Sequence, residues 1–125
     1  MNGDRFLLDT NAIIALLAGN RSLSLLLSSA DWVGISIISY LEFLSFDGLC
    51  QDDRDCFEQL VSRVEVIPVS LQQMTIMQST ISIRTTNRLK LPDALIAATT
   101  QAHHATLITN DAHFNKVPAL AVLGY

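Results

Sequence analysis

Four acidic residues stand where hydrolytic or metal chemistry is usually done. They are Asp9 in RFLLDTNAII, Glu42 in ISYLEFL, Asp93 in LPDALIAATT and Asp111 in LITNDAHF. Carboxylates brought close together repel and raise one another's pKa. A divalent cation replaces that repulsion with attraction, and a set of hard oxygen donors suits Mg²⁺ or Mn²⁺. A site of this kind activates water and offsets the charge that develops on a phosphodiester. Each acid also has a plain structural reading. Asp9 or Thr10, and Asn110 or Asp111, are natural helix N-caps. Asp93 opens a helix, where a negative charge suits the dipole. Ser39 to Glu42 spells S-x-x-E, a capping box.

The elements between these acids decide whether they meet. Residues 5–9 read as a short buried strand, NAIIALLAG as a helix stopped by Gly19, and SLSLLLSSA as a second short helix. DWVGIS reads as a strand and SYLEFLSFDGL as a helix closed by Gly48, followed by a helix over 53–63. VEVIPV is a strand ended near Pro68, and residues 71–89 form a long helix. PDALIAATTQAHH is a helix with Pro92 in its first turn. ATLIT, DAHFNK and ALAVLG follow as strand, short helix and strand. Strands alternating with helices predict a three-layer α/β/α fold around a parallel sheet of about four to five strands. Ligands of such sheets bind beyond the carboxyl ends of the strands. Asp9 and Asp111 fall at those ends, and Glu42 and Asp93 lie in helices that can reach the same edge. Asn11 is placed to hold a water or an acid, and Thr109 shares a side with Asp111.

The totals narrow the field. The 125 residues suit one domain, residues 1–125, and half of them are hydrophobic, more than a lone core needs. No apolar run approaches the roughly 20 residues of a spanning helix, and AIIALLAG lacks the flanks and cleavage site of a signal peptide. The reading is a cytoplasmic protein with no membrane partner. Cys50 and Cys56 read as reduced thiols. A net charge of −4 makes the chain a poor non-specific binder of nucleic acid, so action on a polyanion needs a local inversion of the field, which a bound cation supplies.

With those residues in view, FLLDTNAII, ISIISYLEFL, LPDALIAATT and LITNDAHF together resemble the PIN domain, above all the small VapC-type toxins of bacterial toxin–antitoxin pairs. The resemblance runs from about residue 5 to the C-terminus. It implies a metal-dependent endoribonuclease with a catalytic quartet at Asp9, Glu42, Asp93 and Asp111. It also implies supporting roles for Asn11 and Thr109, a homodimer, and a small antitoxin that silences the site. On that reading Asp9, Asp93 and Asp111 hold Mg²⁺ or Mn²⁺, directly or through water. Glu42 then orients the attacking water or helps hold a second ion. Two departures stand out: Asn110 takes a place where many relatives carry a basic residue, and the chain is short, with little room for a specificity insertion.

Arg84, Arg88 and Lys90 are three of eight basic residues and cluster just before Asp93. They read as phosphate contacts or as a solvated helix face. His103 and His104 read as helix-end structure, and His113, Phe114 and Trp32 as packing residues. The surplus of Leu and Ile in NAIIALLAG and SLSLLLSS marks either a buried helix pair or a dimer or antitoxin surface. Other classes fit less well. An aspartate-nucleophile phosphatase wants an acid where Asn11 stands, and a phosphoacceptor receiver wants an aspartate where strand three ends in IPVS. A PIN-like module that binds RNA or an antitoxin with little turnover is the stronger rival.

Overall fold

The computed structural model describes residues 4–125; positions 1–3 of the expected domain lie outside the described residues. Its sheet has five parallel strands in the order β3-β2-β1-β4-β5. These are β1 (Arg5–Leu8), β2 (Trp32–Ser36), β3 (Glu65–Ile67), β4 (Thr106–Ile108) and β5 (Val122–Leu123). The six helices are α1 (Thr10–Leu17), α2 (Arg21–Ser28), α3 (Ile37–Leu44), α4 (Gln51–Val61), α5 (Met74–Asn87) and α6 (Leu91–Ala102). A 3₁₀ turn spans Ala112–Lys116.

β1 lies in the middle, paired with β2 on one side and β4 on the other, and alternation along it sends side chains to both faces. Leu7 joins a core with Leu107, Ile76, Ile83 and the small residues Ala94, Ala97 and Ala98, beneath α5 and α6. Phe6 and Leu8 join the opposite core with Ile13, Leu23, Ile35, Phe43, Phe57 and Ile108, beneath α1 to α4. The three layers follow. Helix α6 is buried continuously from Ala94 to Thr100, because its alanines let it approach the sheet and α5 closely. Thr99 and Thr100 satisfy their hydroxyls inside that dry contact by donating to the carbonyls of Leu95 and Ile96.

Several local expectations change. Helix α3 begins two residues before Ser39, with Ser36 as its N-cap accepting from the Ile38 N–H. The S-x-x-E capping box is therefore absent; Ser39 is buried in the helix and Glu42 is left to other work. Ser45 ends α3, so Gly48, at φ 82°, serves the following turn rather than the helix end. Helix α5 ends at Asn87, and Arg88 is its left-handed C-cap at φ 57°. Arg84 and Arg88 thus do not share a helical face. Trp32 is half-buried rather than core: its ring stacks on His103 at 5.2 Å and carries the Arg5 guanidinium at 4.6 Å. Among the described residues, no single helix is long and apolar enough to cross a membrane.

Candidate active site

Parallel strands end together, and the loops beyond β1, β2 and β4 meet the start of α6 at one edge of the sheet. There Asp9, Glu42, Asp93 and Asp111 line a single recess of about 230 Å³. Asn11 and Thr10 share its polar wall, and Phe46, Ile96 and Phe114 supply apolar walls.

Asp9 is the N-cap of α1 as well as a wall of the recess. Its Oδ1 accepts the Ala12 N–H at 2.7 Å, and its Oδ2 accepts the Thr109 hydroxyl hydrogen. Backbone pairing holds the same residue from behind, since the Asp9 N–H donates to the Ile108 carbonyl at 3.3 Å. The side chain is 5% exposed. Burial pushes its carboxyl above the ordinary value; the bonds from Thr109 and Ala12 oppose this, and the charges on Asp111 and Glu42 add to it. Asp93 sits in the first turn of α6, behind Pro92. Its carboxyl is also raised, first by burial and then by Asp111 and Glu42, with Lys90 and His113 pulling the other way. Asp111 behaves oppositely. It caps the 3₁₀ turn, and the His113 N–H at 2.9 Å, with the His113 ring at 2.8 Å, holds its carboxyl below the usual range despite some burial.

Glu42 reaches the recess from the outer surface of α3, where the Thr10 hydroxyl donates to its Oε1 at 2.7 Å. Thr10, rather than Asn11, is thus the residue that anchors an acid. In the sequence Thr10 reads as a helix N-cap, which hides this role. His113 and Lys116 were missed as site neighbours for a related reason. His113, read as packing, is exposed and bonded to Asp111, while Phe114 beside it is the buried anchor. The basic trio Arg84, Arg88 and Lys90 borders one recess together, and Arg88 and Lys90 also border another that shares Asp93 and Asp111 with the acidic one, which Arg84 does not line.

The donor set is all carboxylate oxygen, and two of its members are raised, chiefly by burial and further by the charges on Asp111 and Glu42, which fits a hard divalent cation held by one or two carboxylates plus water. Among the described residues no three acidic, His or Cys side chains converge as a ready-made ligand cage. Asn110, at the position marked as a departure, has its own work: its side chain pairs with both the N–H and the carbonyl of Tyr125, closing the chain end against the site's outer edge.

An acidic recess at the carboxyl edge of a five-stranded parallel sheet, between two helical layers, defines a three-layer α/β protein with a carboxylate-lined site. The chain belongs to the PIN domain family, whose model matches residues 6–120. Solved structures agree with the fold. A toxin–antitoxin complex from Klebsiella pneumoniae contains a chain 29% identical, with 94% of each chain covered and a TM-score of 0.76. A chain of VapBC2 from Rickettsia felis, bound to a DNA fragment from its promoter, is 23% identical over 97% of this chain and 98% of that one, with a TM-score of 0.81. VapBC-1 from nontypeable Haemophilus influenzae gives 23% identity, 96% and 97% coverage, and a TM-score of 0.77. No curated protein matches the chain.

Proposed function

We propose that the chain, acting as one domain, is a Mg²⁺- or Mn²⁺-dependent endoribonuclease and the VapC-type toxin of a toxin–antitoxin pair. The observation that carries this is the gathering of Asp9, Glu42, Asp93 and Asp111 from four separate elements into one recess. Family membership and the toxin–antitoxin character of similar structures support it, and RNA as substrate rests on the family resemblance. Asp9, Asp93 and Asp111 would hold the cation. When bound, it supplies Lewis-acid polarisation of the phosphate and makes water a better nucleophile. Glu42, with Oε1 committed to Thr10, keeps Oε2 to accept a hydrogen bond from the attacking water and orient it. Phe46, Ile96 and Phe114 limit bulk water beside the reacting phosphate. The water oxygen bonds to phosphorus as the bond to O3′ breaks, leaving a 5′-phosphate and a 3′-hydroxyl.

The same reading assigns the remaining apolar surface. Ile14, Leu17, Phe43, Phe46 and Leu49 line a hollow that shares Phe46 with the acidic recess. An antitoxin segment seated there reaches the acids directly. The exposed Leu25 of α2 fits a homodimer contact, and the setting is the cytoplasm. Among the described residues the acids form no ready-made ligand cage, which favours a second reading, a PIN module that binds RNA or antitoxin with little turnover.

Asp9→Asn and Asp93→Asn decide between the two. The expected result is Mn²⁺-dependent cleavage of RNA by the wild type, lost in both variants with the circular-dichroism spectrum retained. Equal cleavage by a folded, nuclease-free Asp93→Asn protein overturns the catalytic assignment. A wild type that neither cleaves RNA nor binds Mn²⁺ by calorimetry favours the binding module.

A further inference from the structure

The acidic recess has a basic neighbour. Arg88, Lys90, His113 and Lys116 line an adjoining recess of about 260 Å³, and Asp93 and Asp111 form the wall common to both. In a chain of net charge −4, three of the eight Lys and Arg residues meet at this one place. They come from two elements far apart in sequence, the α5–α6 turn and the 3₁₀ turn. The junction is fixed by backbone-level contacts: the Asn87 side chain donates to the Lys116 carbonyl at 3.0 Å, and the Arg88 N–H closes α5 on the Arg84 carbonyl at 3.1 Å. Arg84 is turned back on its own segment, toward the Leu89 carbonyl.

Lys90 and Lys116 act on the acids beside them only through space, Lys90 lowering the Asp93 carboxyl and Lys116 that of Asp111, without forming an ion pair. Among the described residues the sole ion pair is His113 with Asp111, so Arg88, Lys90 and Lys116 stand exposed and unpaired. Converging exposed cations free of ion pairs set up a local positive field that attracts an anion lying across them. The anion that would span a cation-holding recess and a basic recess with a common wall is a strand carrying consecutive phosphates. Exposed Lys and Arg serve phosphate as position-setting contacts without reading bases.

We infer that Arg88, Lys90 and Lys116 form a phosphate subsite that holds the phosphate next to the one cleaved, so the enzyme acts on oligonucleotides and weakly on a lone phosphodiester. The inference rests on the nuclease reading for the word "cleaved", but the subsite itself is a binding claim. It differs from the sequence-based trio by admitting Lys116 and releasing Arg84.

The test uses a fluorescent RNA octanucleotide in EDTA, read by anisotropy across a salt series, with the full chain. Arg88→Ala/Lys116→Ala is expected to weaken binding roughly tenfold at low salt and to flatten the log–log salt slope by about 1.4, two contacts at about 0.7 each for a single strand. Lys90→Gln/Lys116→Gln, which keeps the Arg88 cap, should do the same. Arg21→Ala/Arg63→Ala, which removes equal charge elsewhere, should leave the slope unchanged. With Mn²⁺, the Arg88/Lys116 variant should show a raised KM on the octanucleotide, an unchanged kcat, and wild-type hydrolysis of bis(p-nitrophenyl) phosphate, which has a single diester. An unaltered slope and affinity overturn the subsite, as does an equal loss on the single-diester probe. Wild-type binding of a deca-glutamate peptide in preference to RNA also overturns it, in favour of an acidic protein partner. If the wild type cleaves neither substrate, the nuclease reading fails and the EDTA salt slope alone decides the subsite.

Discussion

Thr109 donates its hydroxyl hydrogen to Asp9 Oδ2 and, through the same oxygen, accepts the Asp111 N–H at 3.0 Å. One buried hydroxyl therefore ties the carboxyl end of β1 to the residue that follows β4, and sets two of the four acids relative to each other. Thr109→Val keeps the shape and removes the hydroxyl. It leaves the Asp111 N–H without its acceptor and should cost about 1–3 kcal/mol in urea unfolding. A roughly tenfold fall in RNA cleavage should accompany it, the equivalent of about 1.4 kcal/mol of transition-state positioning. Thr109→Ser should restore most of both; a serine no better than valine would show that the methyl, not the hydroxyl, matters.

Thr10 should outweigh Asn11. Thr10→Val frees Glu42 from the one side-chain hydrogen bond it has among the described residues. It should lower kcat roughly tenfold with KM little changed, as expected for a group that orients rather than binds. Among the described residues the Asn11 side chain has no comparable bond, so Asn11→Ala should have the smaller effect. The reverse ranking would return the anchoring role to Asn11.

The pH dependence of the metal-free protein follows from the raised acids. A carboxyl whose folded pKa exceeds its unfolded value binds more protons in the folded state. Asp9 and Asp93, raised above 3.8 mainly by burial, therefore destabilise the fold fully above their folded pKa. That penalty fades as pH falls toward 3.8. Asp111, lowered, acts oppositely: its contribution is lost only at still lower pH. In EDTA the Tm should thus rise from pH 7.5 into the mildly acidic range. Asp93→Asn should raise it by about 1–3 °C at pH 7.5, a screened, partly exposed group giving less than a buried one. Mn²⁺ should stabilise the wild type and much less Asp93→Asn. A Tm that falls steadily below pH 7 in EDTA would contradict the direction.

Gly34 is a packing glycine. A Cβ there would lie 2.3 Å from Cη2 of Trp32, clashing with the ring that stacks on His103 and carries Arg5. Gly34→Ala should cost about 1–3 kcal/mol, read by chemical unfolding, and adding Trp32→Leu should recover part of it. Additive losses in the double variant would place the clash elsewhere.

The fold was largely legible because its signals are local. Apolar runs such as FLL and TLI, bounded by polar turns, mark strands buried on both faces, and their alternation with helices forces a parallel sheet. Helix boundaries were less so. Ser36 and Ser39 are equally good caps on paper, and the choice was made by where β2 leaves the sheet. The same holds for α5, where the apparent helix runs on through Arg88 and Leu89 but Arg88 adopts the left-handed cap. Asp9 and Asp111 could be nominated from their positions after strands, and Glu42 and Asp93 from helices able to reach the same edge. Thr10, His113 and Lys116 could not, because nothing in their neighbourhoods distinguishes a hydroxyl or a cation that faces a recess from one that faces solvent.

Residue types and their order determined the chemistry available here: carboxylates at strand ends, one threonine before Asp111, a basic turn before Asp93, and enough apolar residues for two cores. Tertiary structure alone decided which of them meet. Parallel strand order placed β1 between β2 and β4, and that order, set by long-range hydrogen bonding and burial on both faces, brings Asp9 to Thr109 and Glu42 to Thr10. The same packing set an acidic recess against a basic one across Asp93 and Asp111. Charge in a sequence is only a count; distance and burial give it a field.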